Sequence, residues 1–201
     1  MSIQNWSRKK LVIAGGITAV IILVVVLALT RSKSNQPEGQ TPATQIPQVA
    51  VTPSGITYPS SWQEAAEIAV SEKDSGVTSV ATKGQPTTKV IIREVNGELA
   101  SDFDIQKLPD QIGTELGAQI EGFTLIEKRT MKMGENNAVR VEYKQLNSSD
   151  QKIYQFVMFV VPTAKKTFYI TYSSAEDIAK LSGDIDKINQ SIAQYIKTHP
   201  S

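Results

Sequence analysis

The sequence predicts an α+β protein, in which helices cover a central antiparallel sheet in αβα layers, behind one N-terminal transmembrane helix. Three observations support this class. An uncharged apolar run begins at Leu11 and ends at Thr30. Four strand-like segments follow closely between residues 123 and 173, separated by short breaks rich in Gly, Asn, Ser and Pro. Before and after them, apolar residues recur every three or four positions, as in amphipathic helices.

The apolar run, residues 11–30, is predicted to be an uncleaved signal anchor. About twenty residues at roughly 1.5 Å rise cross a hydrocarbon core of roughly 30 Å. Three basic residues, at positions 8–10, precede the run, whereas only Arg31 and Lys33 follow it closely. This asymmetry predicts a cytoplasmic tail, residues 1–10, and an extracytoplasmic remainder. A cleaved signal peptide and the reverse orientation stay as alternatives, although no small-x-small cleavage site follows the run.

Residues 31–54 are rich in Pro, Thr and Gln and predict a flexible linker that cannot bury enough apolar surface to fold. At roughly 3 Å per residue it reaches about 60–70 Å when extended. Residues 55–201 have the usual length of one domain and predict a single extracytoplasmic globular unit. The linker owes its extended character to four regularly spaced prolines: Pro37, Pro42, Pro47 and Pro53.

Composition excludes several classes of function. The chain has no cysteine, so disulfides, lipid anchoring, thiolate metal sites and cysteine nucleophiles are excluded. From Gly55 onward, 16 Lys and Arg stand against 19 Asp and Glu, so the domain carries a net charge of about −3. Because nucleic-acid binding needs a basic stripe, no nucleic acid is expected as a partner.

The globular part is expected to begin with a short strand at Ile56 and Tyr58, followed by Trp62 as a core anchor. Short β-rich runs at 66–72 and 77–84 and a stronger strand at 87–95 come next. A three-turn helix then follows Pro109, a residue favoured in the first turn. Its apolar stripe consists of Leu108, Ile112, Leu116 and Ile120, and Gly122 is expected to end it.

The four closely spaced strands are predicted at residues 123–133, 138–146, 152–161 and 167–173. In the second, apolar and polar residues alternate, which indicates one wet face. The third is apolar on both faces and should be central. A final helix is expected after a cap at Ser173 or Ser174, with a break at Gly183. Its apolar face consists of Ile178, Leu181, Ile185, Ile188, Ile192 and Tyr195.

The pattern resembles the PsbP-like (Mog1/PsbP) domains. The resemblance rests on YPSSW at 58–62, the helix after the first strands, the hairpin series, and the ending TFYITYSSAEDIAKLSGDIDKINQSIAQYI at 167–196. It implies a central antiparallel sheet with helices on both faces, a binding or assembly role, and no shared catalytic constellation. Members of the family associate with photosystem II or bind small GTPases. This chain departs from them by its anchor and linker, and neither partner is transferred to it.

Motifs that carry chemistry are scarce. The single histidine, His199, lies in the C-terminal tail and is predicted to be solvated. Asp102 and Asp104 alternate as calcium ligands do, but a loop leading to the helix is the better interpretation, because the glycine and the bidentate Glu of such sites are missing. There is no P-loop and no GxGxxG. We therefore predict no catalytic residue, no cofactor and no metal.

Aromatic residues concentrate on the strands at 152–161 and 167–173. Core packing explains most of them, and a ligand-stacking wall is the alternative. The candidates for a ligand- or partner-facing position are Tyr154 and Tyr169, because a phenol tolerates a half-wet site.

These observations predict a non-enzymatic binding or assembly domain of a bacterial, single-pass cell-membrane protein. Its expected partner is another envelope protein, in addition to the membrane itself through residues 11–30. Two alternatives remain. A small-ligand or lipid-binding protein would show an apolar cavity between sheet and helix, whereas an envelope hydrolase would show two converging carboxylates.

Overall fold

The computed structural model describes residues 55–65, 76–84, 88–148 and 151–199. Within these ranges, seven strands form one antiparallel sheet in the order β1-β2-β3-β7-β6-β5-β4. The strands are β1 (Gln63–Glu64), β2 (Val77–Lys83), β3 (Thr88–Asn96), β4 (Thr124–Met133), β5 (Asn136–Asn147), β6 (Lys152–Pro162) and β7 (Lys166–Ser174). The helices are α1 (Leu108–Gln119), a 3₁₀ turn (Ile178–Leu181) and α2 (Ser182–Thr198).

The predicted membrane anchor at 11–30, the linker at 31–54 and the β-rich run at 66–72 lie outside the described residues. In the part of the chain that the structure describes, no helix combines the length and the apolar character needed to span a membrane.

The predicted meander is confirmed. Strands β4 to β7 lie within two residues of their expected bounds, and β6 lies between β5 and β7 with its central residues buried. The alternation predicted for β5 also holds, because Val139, Val141 and Tyr143 are buried on one face while Arg140 and Glu142 lie half-buried on the other. Helices therefore cover the two faces of the sheet with different sets of side chains.

The first face packs against α1. The apolar stripe predicted from residue 108 to residue 120 is buried against β5, β6 and β7. The rings of Tyr143 and Phe156 lie parallel there, with centroids 4.8 Å apart, and the Phe123 ring is tilted against Tyr143 with centroids 5.2 Å apart. Gly122 follows the helix with φ +69°, as a chain reversal after a helix requires.

The second face packs against α2. Four isoleucines of α2, at positions 185, 188, 192 and 196, contact the alternate residues of β6, β7 and β3, including Phe159 and Tyr172. Trp62 is 5% exposed in the same cluster, which confirms it as a core anchor.

Two local expectations were wrong. Residues 56–58 form no strand beyond an isolated bridge at Thr57, because this segment packs along α2, where the Thr57 N–H donates to Ser191 Oγ at 2.6 Å. The final helix is not capped by Ser173 or Ser174, which belong to β7. The helical segment is divided into a short and a long piece, as predicted, but after Leu181 and not at Gly183. Asp177 instead accepts from the Ala179 N–H and begins a 3₁₀ turn, and α2 starts directly after it.

Candidate functional site: a groove beside the C-terminal helix

One flank of α2 is covered by the start of the domain. Residues 55–62 run antiparallel to the helix: Gly55 lies beside Tyr195, Thr57 donates to Ser191, and the Trp62 indole donates to Asp184 at 2.9 Å. The side chains of Ile56, Tyr58 and Trp62 fill the space between helix and sheet. The first residues of the domain therefore cover this flank.

The opposite flank of α2 is open. Two hollows with volumes of about 800 Å³ and 490 Å³ lie between it and strands β4 and β5. They share Met131, Asp186 and Asn189 in their linings, so together they form one groove along the helix. We call it the α2 groove. It extends from Ile178 at the start of the helical segment to His199 at its end.

Apolar side chains lie beneath the α2 groove. Met131 of β4 is partly exposed there, whereas Met133 of β4, Val157 and Phe159 of β6, and Phe168 of β7 are buried below it. They face α2 because side chains alternate along each strand. Met131 gives the groove one adaptable, partly exposed apolar side chain.

An ion cluster forms the wall of the groove on β4 and β5. The guanidinium of Arg140 donates to Glu127 and, at 2.5 Å, to Glu142, while Arg129 Nε lies 3.1 Å from Glu127. Two cations and two anions thus neutralise one another. Arg140 and Glu142 are only 19% and 17% exposed, so the cluster holds a fixed geometry.

The β4–β5 turn contacts α2 near the end of the groove that is closest to His199. Gly134 has φ +60°, and a Cβ there would lie 3.0 Å from Cβ of Ala193. Beside this contact, the Lys197 ammonium lies 3.2 Å from Glu135. Both partners are mostly exposed, so this ion pair stabilises the contact by at most about 1 kcal/mol.

The centre of the groove is polar. Tyr172 is buried beneath it, and its hydroxyl donates to Asn189 Oδ1 at 2.9 Å. Burial raises the pKa of Tyr172 well above its ordinary value, and the charges of Tyr58 and Asp186 add to this shift. Asp186 is exposed and lines both hollows.

The described residues of the groove include His199 and several carboxylates, and their contacts are as follows. His199 is exposed, as predicted, and stacks on Tyr195, whose carbonyl lies 3.0 Å from its Nδ1. Its neighbour Thr198 directs its hydroxyl to the carbonyls of Gln194 and Tyr195. The carboxylates of Glu127 and Glu142 converge, but on the same guanidinium, as acceptors. Among the described residues, no group of three acidic, His or Cys side chains is placed to hold a metal ion.

The two tyrosines predicted to face a ligand or partner lie on the α1 face, away from the groove. Tyr169 is 1% exposed, and burial followed by the charge of Glu115 raises its pKa. Tyr154 is half-buried at the edge of the same cluster. Contact of either residue with a partner stays a prediction, and Tyr154 is the more accessible of the two. Asp104 accepts from the Gln106 N–H, which fits the predicted loop leading to α1.

The sequence did not predict the residues of the α2 groove as a site. The charged positions of β4 and β5 indicate only a wet face, and the polar positions of α2 read as an ordinary solvated stripe. One signal was available: Met131 and Met133 share their face of β4 with Glu127 and Arg129, so an apolar floor continues into a charged wall.

A second exposed feature lies at the other end of the sheet from Gly55. Leu146 and Ile153 are cross-strand partners of β5 and β6, exposed by 44% and 56%. Gln155, two residues after Ile153, accepts from the Ile178 N–H where the helical segment begins. This apolar pair therefore lies beyond the lower end of the groove.

Comparison with known structures shows what the domain resembles. Cyanobacterial PsbP (CyanoP) from Synechocystis sp. PCC 6803 matches with a TM-score of 0.50 and 18% identity, over 78% of this chain and 98% of its own. LpqN, involved in cell envelope biogenesis of Mycobacterium tuberculosis, matches with a TM-score of 0.51 and 14% identity, over 67% and 79%. The domain has the PsbP/Mog1 fold.

The resemblance predicted from the sequence is thus confirmed at the level of the fold. The Saccharomyces cerevisiae Ran-binding protein Mog1p also matches, with a TM-score of 0.44 and 9% identity, over 71% of this chain and 84% of its own. No protein-family model matches the sequence, and no curated protein matches it.

Proposed function

We propose that this protein is a non-enzymatic binding or assembly domain, held outside the cytoplasm by a single-pass anchor at residues 11–30, and that its partner occupies the α2 groove. One observation carries the proposal. Residues 55–62 pack against one flank of α2, whereas no segment of the described chain packs over the other flank, which borders the groove. The other flank is an open groove, where the partly exposed Met131 lies beside a neutralised ion cluster and the polar side chains of α2, and such a mixed apolar and polar surface is typical of protein interfaces.

In the proposed arrangement, the linker joins the domain at Gly55 and holds it away from the membrane. Gly55 lies beside Tyr195, close to the end of α2. A linker of 24 residues, 31–54, would let the domain reach about 60–70 Å from the bilayer. The exposed apolar pair Leu146 and Ile153 lies at the end of the sheet opposite Gly55, where a large envelope partner could also contact it.

Site-specific photo-crosslinking in the native membrane tests the proposal. A photoreactive amino acid replaces Gln190 or Gln194 in the groove, or Gln111 or Thr114 on the exposed surface of α1, in the full-length protein. We expect one dominant protein adduct from the groove positions and none from the α1 positions. Adducts at both surfaces alike, or at α1 alone, would contradict the proposal.

A small ligand is the second candidate, because about 800 Å³ lies within the usual range of ligand pockets. Against it, the groove is open along its length and lined by many polar groups. Native mass spectrometry of the full-length protein, extracted from its membrane, distinguishes the two. A stoichiometric bound mass that is lost when Ala193 is replaced by Trp would favour the ligand.

A further inference from the structure

Strand β4 lies at one edge of the sheet, and its outer side is open. Within the described residues, β4 pairs with β5 alone, and none of its ten residues has a backbone hydrogen bond to any other segment. On an outermost strand, alternate residues direct their N–H and C=O groups away from the sheet. At the opposite side of the described sheet, β1 consists of Gln63 and Glu64 only. β4 is therefore the edge that is long enough to pair with a further strand.

The regular part of this strand is residues 127–133, which we call the β4 edge. The pairing with β5 shifts in register between Leu125 and Glu127, and from Glu127 to Met133 it continues without interruption. A bulge of this kind twists an edge strand and hinders further pairing there. At roughly 3.3 Å per residue the β4 edge spans about 23 Å, whereas a typical strand has about five or six residues. It can therefore hold a complete added strand.

The β4 edge is basic, whereas the domain is acidic. The edge contains Lys128, Arg129 and Lys132 but one acidic residue, Glu127. The domain as a whole has 16 Lys and Arg against 19 Asp and Glu. Lys132 is exposed and has no ion pair in the part of the chain that the structure describes. A strand with acidic side chains is therefore complementary to this edge.

The side chains of the β4 edge alternate between two sides of the sheet. Lys128 lies on the α1 side, where its ammonium is 2.7 Å from Asp110. Asp110 is 74% exposed, so the ion pair is weak and Lys128 can share a second carboxylate. Strand alternation places Lys132 on the same side, and Arg129 and Met131 on the side of the groove. The two lysines are four residues apart, so carboxylates four residues apart on an added strand would lie opposite them.

The same charges disfavour a second copy of this chain as the occupant. Two β4 edges side by side would bring the cations of both copies together along one ladder, and like charges opposite each other destabilise a sheet. Lysines on an edge strand are a common protection against such self-pairing. The β4 edge therefore repels its own copy and attracts an acidic strand.

We infer that the β4 edge takes an acidic, extended segment of a protein partner as an added strand, with carboxylates four residues apart paired with Lys128 and Lys132. Main-chain hydrogen bonds would hold this segment, and the carboxylates would fix its register. Arg129 and Met131 of the same edge line the α2 groove, so one partner can contact both surfaces. The inference rests on the proposed function and adds how the partner is bound.

Peptide selection on the full-length protein tests the inference. Random linear 12-residue peptides are displayed on phage and selected against the detergent-purified protein. The best binder is synthesised, and its Kd is measured for wild type, Lys132→Glu and Lys180→Glu. The last variant is the matched control, because it reverses an exposed lysine of the 3₁₀ turn, away from β4. Hydrogen–deuterium exchange of the complex then identifies the amides that the peptide protects.

We expect selected peptides with acidic residues four positions apart, and slower amide exchange at the β4 edge. Lys132→Glu should raise Kd about fivefold, because an attractive cross-strand pair becomes a repulsive one. Added salt should reduce this difference. Lys180→Glu should leave Kd unchanged. Replacing the acidic residue that faces position 132 by Lys should restore binding to Lys132→Glu.

Two N-methylated copies of the peptide test the backbone pairing itself. One copy is methylated at its odd residues and the other at its even residues. An added strand directs the N–H groups of only one set towards β4. We therefore expect one copy to bind and the other to lose about tenfold or more in affinity.

Four results would overturn the inference: no enriched peptide, unchanged exchange at the β4 edge, an unchanged Kd in Lys132→Glu, or equal affinities of the two methylated copies. A dimer of the purified protein with slow exchange at the β4 edge would also overturn it, in favour of a second copy. The photo-crosslinking described above judges the proposed function separately. A protein adduct in the groove, combined with any of these results, would leave the proposed function standing and the added strand wrong.

Discussion

The two faces of the sheet are formed by the same strands, but they differ in whether their buried polar side chains have hydrogen-bond partners. On the α1 face, the cover is closed and the interior is aromatic, yet Tyr143 Oη, Gln145 Oε1 and Thr171 Oγ1 are buried without a hydrogen-bond partner in the described part of the chain. On the α2 face, the groove is open, and Arg140 and Tyr172 both have partners.

The difference shows which face is shaped for packing and which for contact. A closed apolar face tolerates a few unsatisfied polar atoms because dispersion and burial outweigh them. In the exposed groove, the charges of β4 and β5 are already paired with one another, so an arriving partner meets no large desolvation penalty at this wall. The predictions below compare the two faces, from the largest expected effect to the smallest.

Replacing an apolar side chain by Ala should lower the free energy of unfolding much more on the α1 face than at the α2 groove. Phe156 is 1% exposed and stacked on Tyr143, so Phe156→Ala should lower the free energy of unfolding by about 3–5 kcal/mol. Met131 is only partly buried at the groove, and Met131→Ala should cost about 1 kcal/mol. Urea denaturation measures both values. Equal losses would mean that the groove floor is packed as tightly as the α1 face.

Arg140→Gln should destabilise the groove wall. It leaves Glu127 and Glu142 close together without their shared cation, at a cost of about 1–2 kcal/mol. Added salt should reduce this loss, because it screens the repulsion. Arg129→Gln is the control: Arg129 is 56% exposed, so its removal should change the unfolding free energy by less than about 0.5 kcal/mol. Similar losses for both variants would show that the Arg140 geometry is not special.

Removal of a tyrosine hydroxyl should raise the free energy of unfolding on the α1 face and lower it on the α2 face. Tyr143→Phe deletes a buried hydroxyl that lacks a partner and should raise the unfolding free energy by about 1 kcal/mol. Tyr172→Phe deletes the donor to Asn189 and should lower it by about 1 kcal/mol. Chemical denaturation of the two variants in parallel gives the comparison. A stability loss in Tyr143→Phe would mean that its hydroxyl has a partner.

The pH dependence should identify Asp184. Because its pKa in the folded protein lies below its unfolded value of about 3.9, the carboxylate stabilises the fold above that value. The stabilisation is lost as pH falls from about 5 through the folded pKa. Asp184→Asn should therefore flatten the acid side of the stability profile. Trp62 fluorescence during acid titration of wild type and Asp184→Asn gives the two curves to compare.

The sequence predicts most of this fold because alternation and helical periodicity are local signals. β5 shows a period of two, and the buried faces of α1 and α2 show a period near four, so most of their inner residues are predicted. In the last turn of α2, the structure buries Ile196 and leaves the predicted Tyr195 half-buried. The break before α2 was misplaced at Gly183, because a side-chain cap at Asp177 decides where the 3₁₀ turn begins.

The groove could not be predicted because it is a space between elements, not a property of any one of them. It exists because residues 55–62 follow one flank of α2 and not the other. Asp186 differs from Asp184 only by its direction around the helix, and the sequence does not tell which of the two meets Lys83.

Cysteine labelling tests most directly whether the α2 groove is the occupied surface. Since the chain has no native cysteine, Gln190→Cys in the groove and Gln111→Cys on α1 report single positions in the full-length protein. We expect maleimide to label Gln190→Cys slowly in native membranes and rapidly after purification, while Gln111→Cys is labelled equally in both. Equal labelling of Gln190→Cys in the two preparations would contradict occupation of the groove by a partner.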